Sequence, residues 1–214
     1  MLSTINFITR HAFNFVISFS VFVITVLNFD LGIFFVPILT IASYYVSNKA
    51  IYLVQKRKRA KELGFSRTEY NLIDKQLKLA KDHLSQLTQQ YIRVRSIRSF
   101  KLLNEITKIS KRIINLVQSS PHKFYAVEDF FYAHLPSAVQ LTDKYTLLTK
   151  EQVKDTEIHL ALEDTRKTLK DLYETMEDDL KLALASDIEN LKIELDFAKM
   201  SNEKRKERLK VGGE

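Results

Sequence analysis

The chain has 214 residues, 33 Lys plus Arg against 26 Asp plus Glu, no Cys, no Trp, 4 Gly and 3 Pro. Without cysteine there is no disulfide, thiolate zinc site, iron–sulfur cluster or cysteine nucleophile, and so few glycines leave none for a phosphate-cradling loop. This scarcity of turn formers points to an all-α fold.

Charge and apolarity divide the chain unevenly. Residues 1–120 carry 18 basic and 6 acidic side chains, whereas residues 121–214 carry 15 and 20. Residues 11–29 contain no formally charged side chain, and neither do residues 31–48; only Asp30 separates the runs. Each run approaches the roughly 20 residues that a helix needs to cross about 30 Å of hydrocarbon. Asn28, Asp30 and Gly32 supply a turn between them, so residues 1–61 read as a two-helix membrane hairpin with its basic flank. Arg10 precedes the first run and Lys49, Lys56, Arg57, Lys58, Arg59 and Lys61 follow the second, which places both termini in the cytoplasm. A signal peptide lacks its cleavage pattern here. A buried hairpin in a soluble protein is the competing account, because Asn14, Ser18, Ser20, Thr25 and Asn28 dilute the first run. Lys56, Arg57, Lys58, Arg59 and Lys61 directly follow a span and have no interleaved aromatics. They suit anionic lipid headgroups rather than nucleic acid.

Residues 62–214 read as a cytoplasmic helical domain with long coiled-coil-like helices. Ser66-Arg67-Thr68-Glu69 matches a capping box, and Gly64 upstream ends the preceding helix. Ile73, Leu77, Ala80, Leu84, Leu87, Tyr91 and Val94 form one seam; Leu102, Ile106, Ile109, Ile113 and Leu116 form another. Their phases differ, which predicts a hinge or rotated seam near residues 96–99. Pro121 stops this helix. An aromatic block follows, with Phe124, Tyr125, Phe130, Phe131 and Tyr132 expected in short paired helices that Pro136 breaks or kinks. These five side chains are candidates for a partner or ligand pocket as well as for core. A last helix from about Lys154 to Lys210 carries Ile158, Leu162, Leu169, Leu172, Met176, Leu180, Leu184, Ile188, Leu191 and Leu195. At about 1.5 Å per residue it extends roughly 80 Å, long enough to project and to pair with another chain, so a homo-oligomer is expected.

Catalytic signals are sparse. No Glu-x-x-His pair marks a di-iron bundle, and Asp155, Glu157 and His159 make only a surface polar cluster. Glu174, Glu177, Asp178 and Asp179 read as a solvated acidic face. Arg10-His11 lacks the glycine of the phosphohistidine phosphatases. No metal or cofactor is expected, and His122, Lys123 and His134 are the only candidates for anion binding or proton transfer.

Pro121-His122-Lys123-Phe124, Phe130-Phe131-Tyr132-Ala133-His134-Leu135, Lys144-Tyr145 and Glu194-Leu195-Asp196-Phe197-Ala198-Lys199 resemble the 5-bromo-4-chloroindolyl phosphate hydrolysis, or XpaC-like, family. The resemblance covers roughly residues 62–200. It implies a bacterial cytoplasmic-membrane protein of the envelope, of toxic-anion (tellurite) or stress resistance, that works beside a toxic-anion-resistance protein. The family name also implies the alternative, a phosphate-monoester hydrolase acting on 5-bromo-4-chloroindolyl phosphate.

Overall fold

The computed structural model describes residues 4–28, 32–93, 97–151 and 156–211, all within helices or the short turns between them. The α-helices are α1 (Thr4–Asn28), α2 (Gly32–Glu62), α3 (Arg67–Arg93), α4 (Ile97–Ser119), α5 (Leu135–Glu151) and α6 (Thr156–Val211). The chain divides into two compact units, Met1–Asp74 and Lys75–Glu214.

In the first unit α1 packs along α2. Arg10 lies over the Tyr52 ring at 5.4 Å, and Phe19 and Phe22 share a hollow with Thr40 and Ile41, so the helices run antiparallel. The expected turn at residues 29–31 lies outside the described residues. Polarity in this pair is inverted. Asn14, Ser18 and Thr25 are buried against α2, while Phe13, Phe15, Phe19, Leu27, Phe35, Tyr45 and Val46 are 57–76% exposed. Asn14 Nδ2 donates to Asn48 Oδ1 at 3.0 Å, and His11 Nδ1 bonds the Tyr44 hydroxyl. Of the polar residues that dilute the first apolar run, Asn14, Ser18 and Thr25 are thus gathered on the face that α2 covers, and Ser20 is exposed.

Among the described residues one helix is long and apolar enough to cross a membrane, at Phe7–Leu27 in α1. The expected second span falls short in the described part of α2. Its run begins in residues 31–34, whose side chains are not described, and Ser43, Tyr44, Tyr45, Ser47 and Asn48 dilute the remainder. Two spans therefore do not follow from the helices alone.

The end of α2 is fixed by local chemistry. Gly64 adopts φ +71°, Phe65 N–H donates to Ala60 O at 2.9 Å and Gly64 N–H to Lys61 O at 3.1 Å, the paired bonds of a Schellman cap. Ser66 N–H then donates to Glu69 Oε2 at 2.9 Å and Glu69 N–H to Ser66 Oγ at 3.2 Å, which completes the capping box that opens α3. These bonds hold the Glu69 carboxyl below its ordinary pKa. A Cβ at position 64 meets no atom within 4 Å, so Gly64→Ala carries only the backbone strain of a left-handed residue. We expect it to lower stability by about 1–2 kcal/mol in urea titration followed by far-ultraviolet dichroism.

In the second unit α6 packs along α4 and α5. The α4 seam holds at its centre and shifts at its ends. Ile106, Ile109 and Ile113 are buried as expected, Leu103, Ser110, Ile114 and Val117 also face inward, and Leu102 and Leu116 are only half-buried. Ser110 is tolerated in this core because its hydroxyl donates to Ile106 O at 2.7 Å and lies 3.9 Å from Met176 Sδ. Along α3 the seam holds at Ile73, Leu77, Ala80 and Leu87. Gln90 Nε2 ties its far end to Asp143 Oδ1 on α5 at 2.6 Å. The described part of α3 reaches Arg93 and that of α4 begins at Ile97; of the expected hinge near residues 96–99, residue 96 lies outside the described residues and residues 97–99 belong to α4.

Candidate functional site

The aromatic block is built from three kinds of helix. Pro121–Val127 is a 3₁₀ segment wedged between α4 and α6, Phe130–His134 is a π-helical turn, and α5 begins at once. Of the expected break or kink at Pro136, the break does not occur: helix runs on from the π turn into α5. Pro136 sits in the first turn of α5, directly after the wider π turn, where the amide it lacks is not needed for the α-ladder.

The five aromatic candidates separate by burial. Phe124, Phe130 and Phe131 are at most 4% exposed, with ring centroids 5.1 Å apart for Phe124–Phe131 and for Phe130–Phe131. Tyr125 and Tyr132 are 47% and 51% exposed on the rim of this cluster. The phenylalanines are core; the two tyrosines form the accessible part of the block.

Each polar candidate has a separate position. His122 is exposed. Lys123 reaches α6, where its Nζ donates to Ala183 O at 2.6 Å and to Asp187 Oδ2 at 2.8 Å. His134 Nδ1 lies 2.7 Å from Oδ2 of Asp179, also on α6. The sequence reading put Asp179 on a solvated face; it is instead buried. Burial raises its carboxyl above the ordinary aspartate range, Asp129 and Asp178 add to the rise, and His134 opposes it. The remaining acids of that run are occupied on the surface, with Lys170 3.3 Å from Glu174, Lys181 2.7 Å from Asp178, and the Tyr173 hydroxyl donating to Glu177 at 2.8 Å. That last bond, helped by desolvation, pushes the Tyr173 phenol up to about 12.

A carboxylate that fixes one imidazole nitrogen is a device of general-base sites, and here it also pins the π turn to α6. Its pH dependence has a definite sign. With the Asp179 pKa raised in the folded state, the native chain binds that proton more tightly than the unfolded chain. The resulting stabilisation is full below the ordinary carboxylate value and is lost as pH rises through the folded value. Asp179→Asn removes this titration, so the variant is expected to lack the native chain's loss of stability across that window and to be the more stable of the two near neutrality. Urea midpoints from pH 3 to 8 measure this.

A second hollow, of about 600 Å³, lies between α4 and α6. Lys101, Glu105, Glu163, Arg166, Lys167 and Glu174 are among its lining residues, and their mixed signs select no ligand charge. Among the described residues no group of three His, Asp or Glu side chains is placed to hold a metal ion. Asp155, one of the polar trio noted in the sequence, lies outside the described residues.

The basic flank is an unbroken continuation of α2. Lys56 turns away from solvent, its Nζ 2.6 Å from Asp74 Oδ2 on α3 and 6.0 Å from the ring centroid of buried Tyr70. Burial and the Asp74 charge raise the Tyr70 phenol pKa, against the opposing pull of Arg59. Arg59 lies 3.5 Å from Glu62. Arg57, Lys58 and Lys61 remain exposed, and Arg57 and Lys61 line a hollow with Arg67 over Gly64 and Phe65.

Asp179 and Asp187 escaped the sequence reading. The signal for Asp179 was its place three residues after Met176 on the inner face of α6; for Asp187 there was none before Lys123 was seen to reach it.

Comparison with known proteins bears on all of this. Residues 6–198 match the family model of the 5-bromo-4-chloroindolyl phosphate hydrolysis protein. The chain is also 35% identical over 170 residues to Protein XpaC of Bacillus subtilis (strain 168), a match covering 78% of this chain and 83% of that protein. No solved structure matches. The family match includes α1 and α2 and so reaches further toward the N-terminus than the resemblance read from the sequence. With nearly the whole chain matched, from α1 through the aromatic block into the exposed end of α6, the protein belongs to the 5-bromo-4-chloroindolyl phosphate hydrolysis protein family.

Proposed function

We propose that this is a membrane-anchored helical accessory protein of the bacterial envelope. The α1–α2 pair enters the bilayer as a hairpin with both termini cytoplasmic, and the helices that follow bind a partner protein. The observation that carries this reading is the inverted polarity of the pair. Water-soluble helices bury phenylalanine and expose asparagine; here Asn14, Ser18 and Thr25 are covered while the phenylalanines face outward. Lipid favours that arrangement, because polar side chains then find partners between helices and apolar ones meet the acyl chains. Exposed Arg57, Lys58 and Lys61 follow where headgroups would lie, and each basic group near an anionic leaflet contributes about 1 kcal/mol.

The partner is a toxic-anion-resistance protein, in keeping with the family resemblance. Exposed Tyr125 and Tyr132 give it an aromatic patch to meet. Alkaline carbonate washing of one portion of membranes, and mild-detergent purification from a second, unwashed portion, test the two parts separately. The chain should stay with the membrane and bring a stoichiometric protein with it, and Tyr125→Ser with Tyr132→Ser should release that protein without releasing the chain.

The family description supports a second reading, hydrolysis of an aryl phosphate by this chain. Lys123 and His134 are each engaged with an α6 carboxylate, so the accessory reading predicts no turnover by purified, folded protein. Turnover that follows the protein through purification and is lost in His134→Ala would establish the hydrolase instead.

A further inference from the structure

Along α6 the leucine spacing outlasts the burial. Leu169, Met176, Leu180 and Ala183 are at most 8% exposed, yet no residue from Ala185 to Arg205 is buried. Over that stretch Leu184, Ile188, Leu191, Leu195 and Ala198 continue at spacings of 4, 3, 4 and 3, with Ile188, Leu191 and Leu195 48–54% exposed. We propose that this segment, Leu184 to Asn202, is one strand of a parallel two-stranded coiled coil formed with a second copy of this chain.

The charges beside the seam choose both the occupant and its direction. Placing Ile188 and Leu195 at the first position of the heptad puts Leu184, Leu191 and Ala198 at the fourth. Asp187 and Glu194 then occupy one shoulder, and Lys192 and Lys199 the other. In a parallel, in-register dimer each residue of the first shoulder meets the second copy's residue five positions further on. Asp187 then faces Lys192 of the second copy, and Glu194 faces Lys199, in both directions across the dimer. In an antiparallel dimer each shoulder meets itself, acid on acid and lysine on lysine. The sequence is therefore self-complementary in one orientation and self-repelling in the other.

Existing contacts leave room for this pairing. Asp187 already accepts from Lys123 but its side chain is 55% exposed, and Lys199 lies only 3.9 Å from Asp196 with both side chains 73% exposed. Ile193, Phe197 and Met200 are exposed on the opposite side of the helix and take no part in the seam. The inference goes beyond the anchoring reading and stands without it, although two copies held in one membrane would share the required direction.

Because the chain has no cysteine, same-site crosslinking reads the geometry directly. In the full-length chain under mild oxidation, Leu191→Cys and Leu195→Cys should each give a disulfide-linked dimer, since seam positions of a parallel pair sit within bonding distance. Phe197→Cys should not. With Leu195→Cys in place, Glu194→Lys alone and Lys199→Glu alone should each cut the crosslinked fraction about fivefold. The double variant, and a mixture of the two single variants, should restore it. Three results would overturn the proposal: no dimer at Leu191→Cys and Leu195→Cys, an equal yield at Phe197→Cys, or charge reversal without loss and rescue. Crosslinking only between Ile188→Cys and Ala198→Cys chains would replace it with an antiparallel pair.

Discussion

Phe124→Ala should cost the second unit about 3–5 kcal/mol, measured as the shift in urea unfolding of the full-length chain by far-ultraviolet dichroism. Phe124 is 1% exposed, stands 5.1 Å from Phe131 and contacts the rings of Tyr125 and Tyr132 at 5.6 and 6.2 Å. Truncation removes a full aromatic transfer term and leaves a cavity that a 3₁₀ segment wedged between α4 and α6 has little freedom to close. Tyr125→Ala and Tyr132→Ala lie a few ångströms away on the rim, and we expect each to cost less than about 1 kcal/mol. A loss at the two tyrosines as large as that at Phe124 would mean that the whole block is core and that no aromatic patch is left for a partner.

The second large effect is expected on α1. Phe15→Asp with Phe19→Asp places two carboxylates on the exposed face, each opposed in lipid by about 2.5–3.5 kcal/mol near mid-membrane. The variant should fail carbonate-resistant membrane retention. Asn14→Leu, on the face covered by α2, should remain in the membrane because it removes only an interhelical bond that in lipid is worth about 1 kcal/mol. A water-soluble hairpin predicts the reverse: surface phenylalanines replaced by aspartates would leave the fold intact and more soluble.

Much of the helical framework was legible from spacing alone. Glu69 three residues after Ser66 and Gly64 before it marked the end of α2 and the start of α3, since a cap is local chemistry that needs no distant partner. The α3 seam through Ile73, Leu77 and Ala80 was legible because each inward position is apolar. The α4 seam was legible at its centre, Ile106, Ile109 and Ile113, but not at its ends, where Leu103 and Val117 are buried in place of Leu102 and Leu116. Ser110 is also buried, by bonding its own helix, and a count made on apolar letters passes over a polar one. Asp179 failed for the same reason more strongly: it is a buried carboxylate in a run with exposed Glu174 and Asp178 and half-buried Glu177, and only the fold brings His134 to it. The exposed end of α6 shows the opposite limit. Periodicity records that a face is apolar and not whether anything covers it, so Leu180 and Leu195 look alike in sequence while one is buried and the other bare.

The membrane hairpin is the central claim, and site-specific labelling of the naturally cysteine-free chain tests it most directly. Asp30→Cys and Ser201→Cys would each be exposed to a membrane-impermeant maleimide in intact cells and again after permeabilisation. Two spans with cytoplasmic ends predict that Asp30→Cys reacts in intact cells and that Ser201→Cys reacts only after permeabilisation. Reaction of both residues under the same single condition would place them on one side of the membrane and contradict the hairpin.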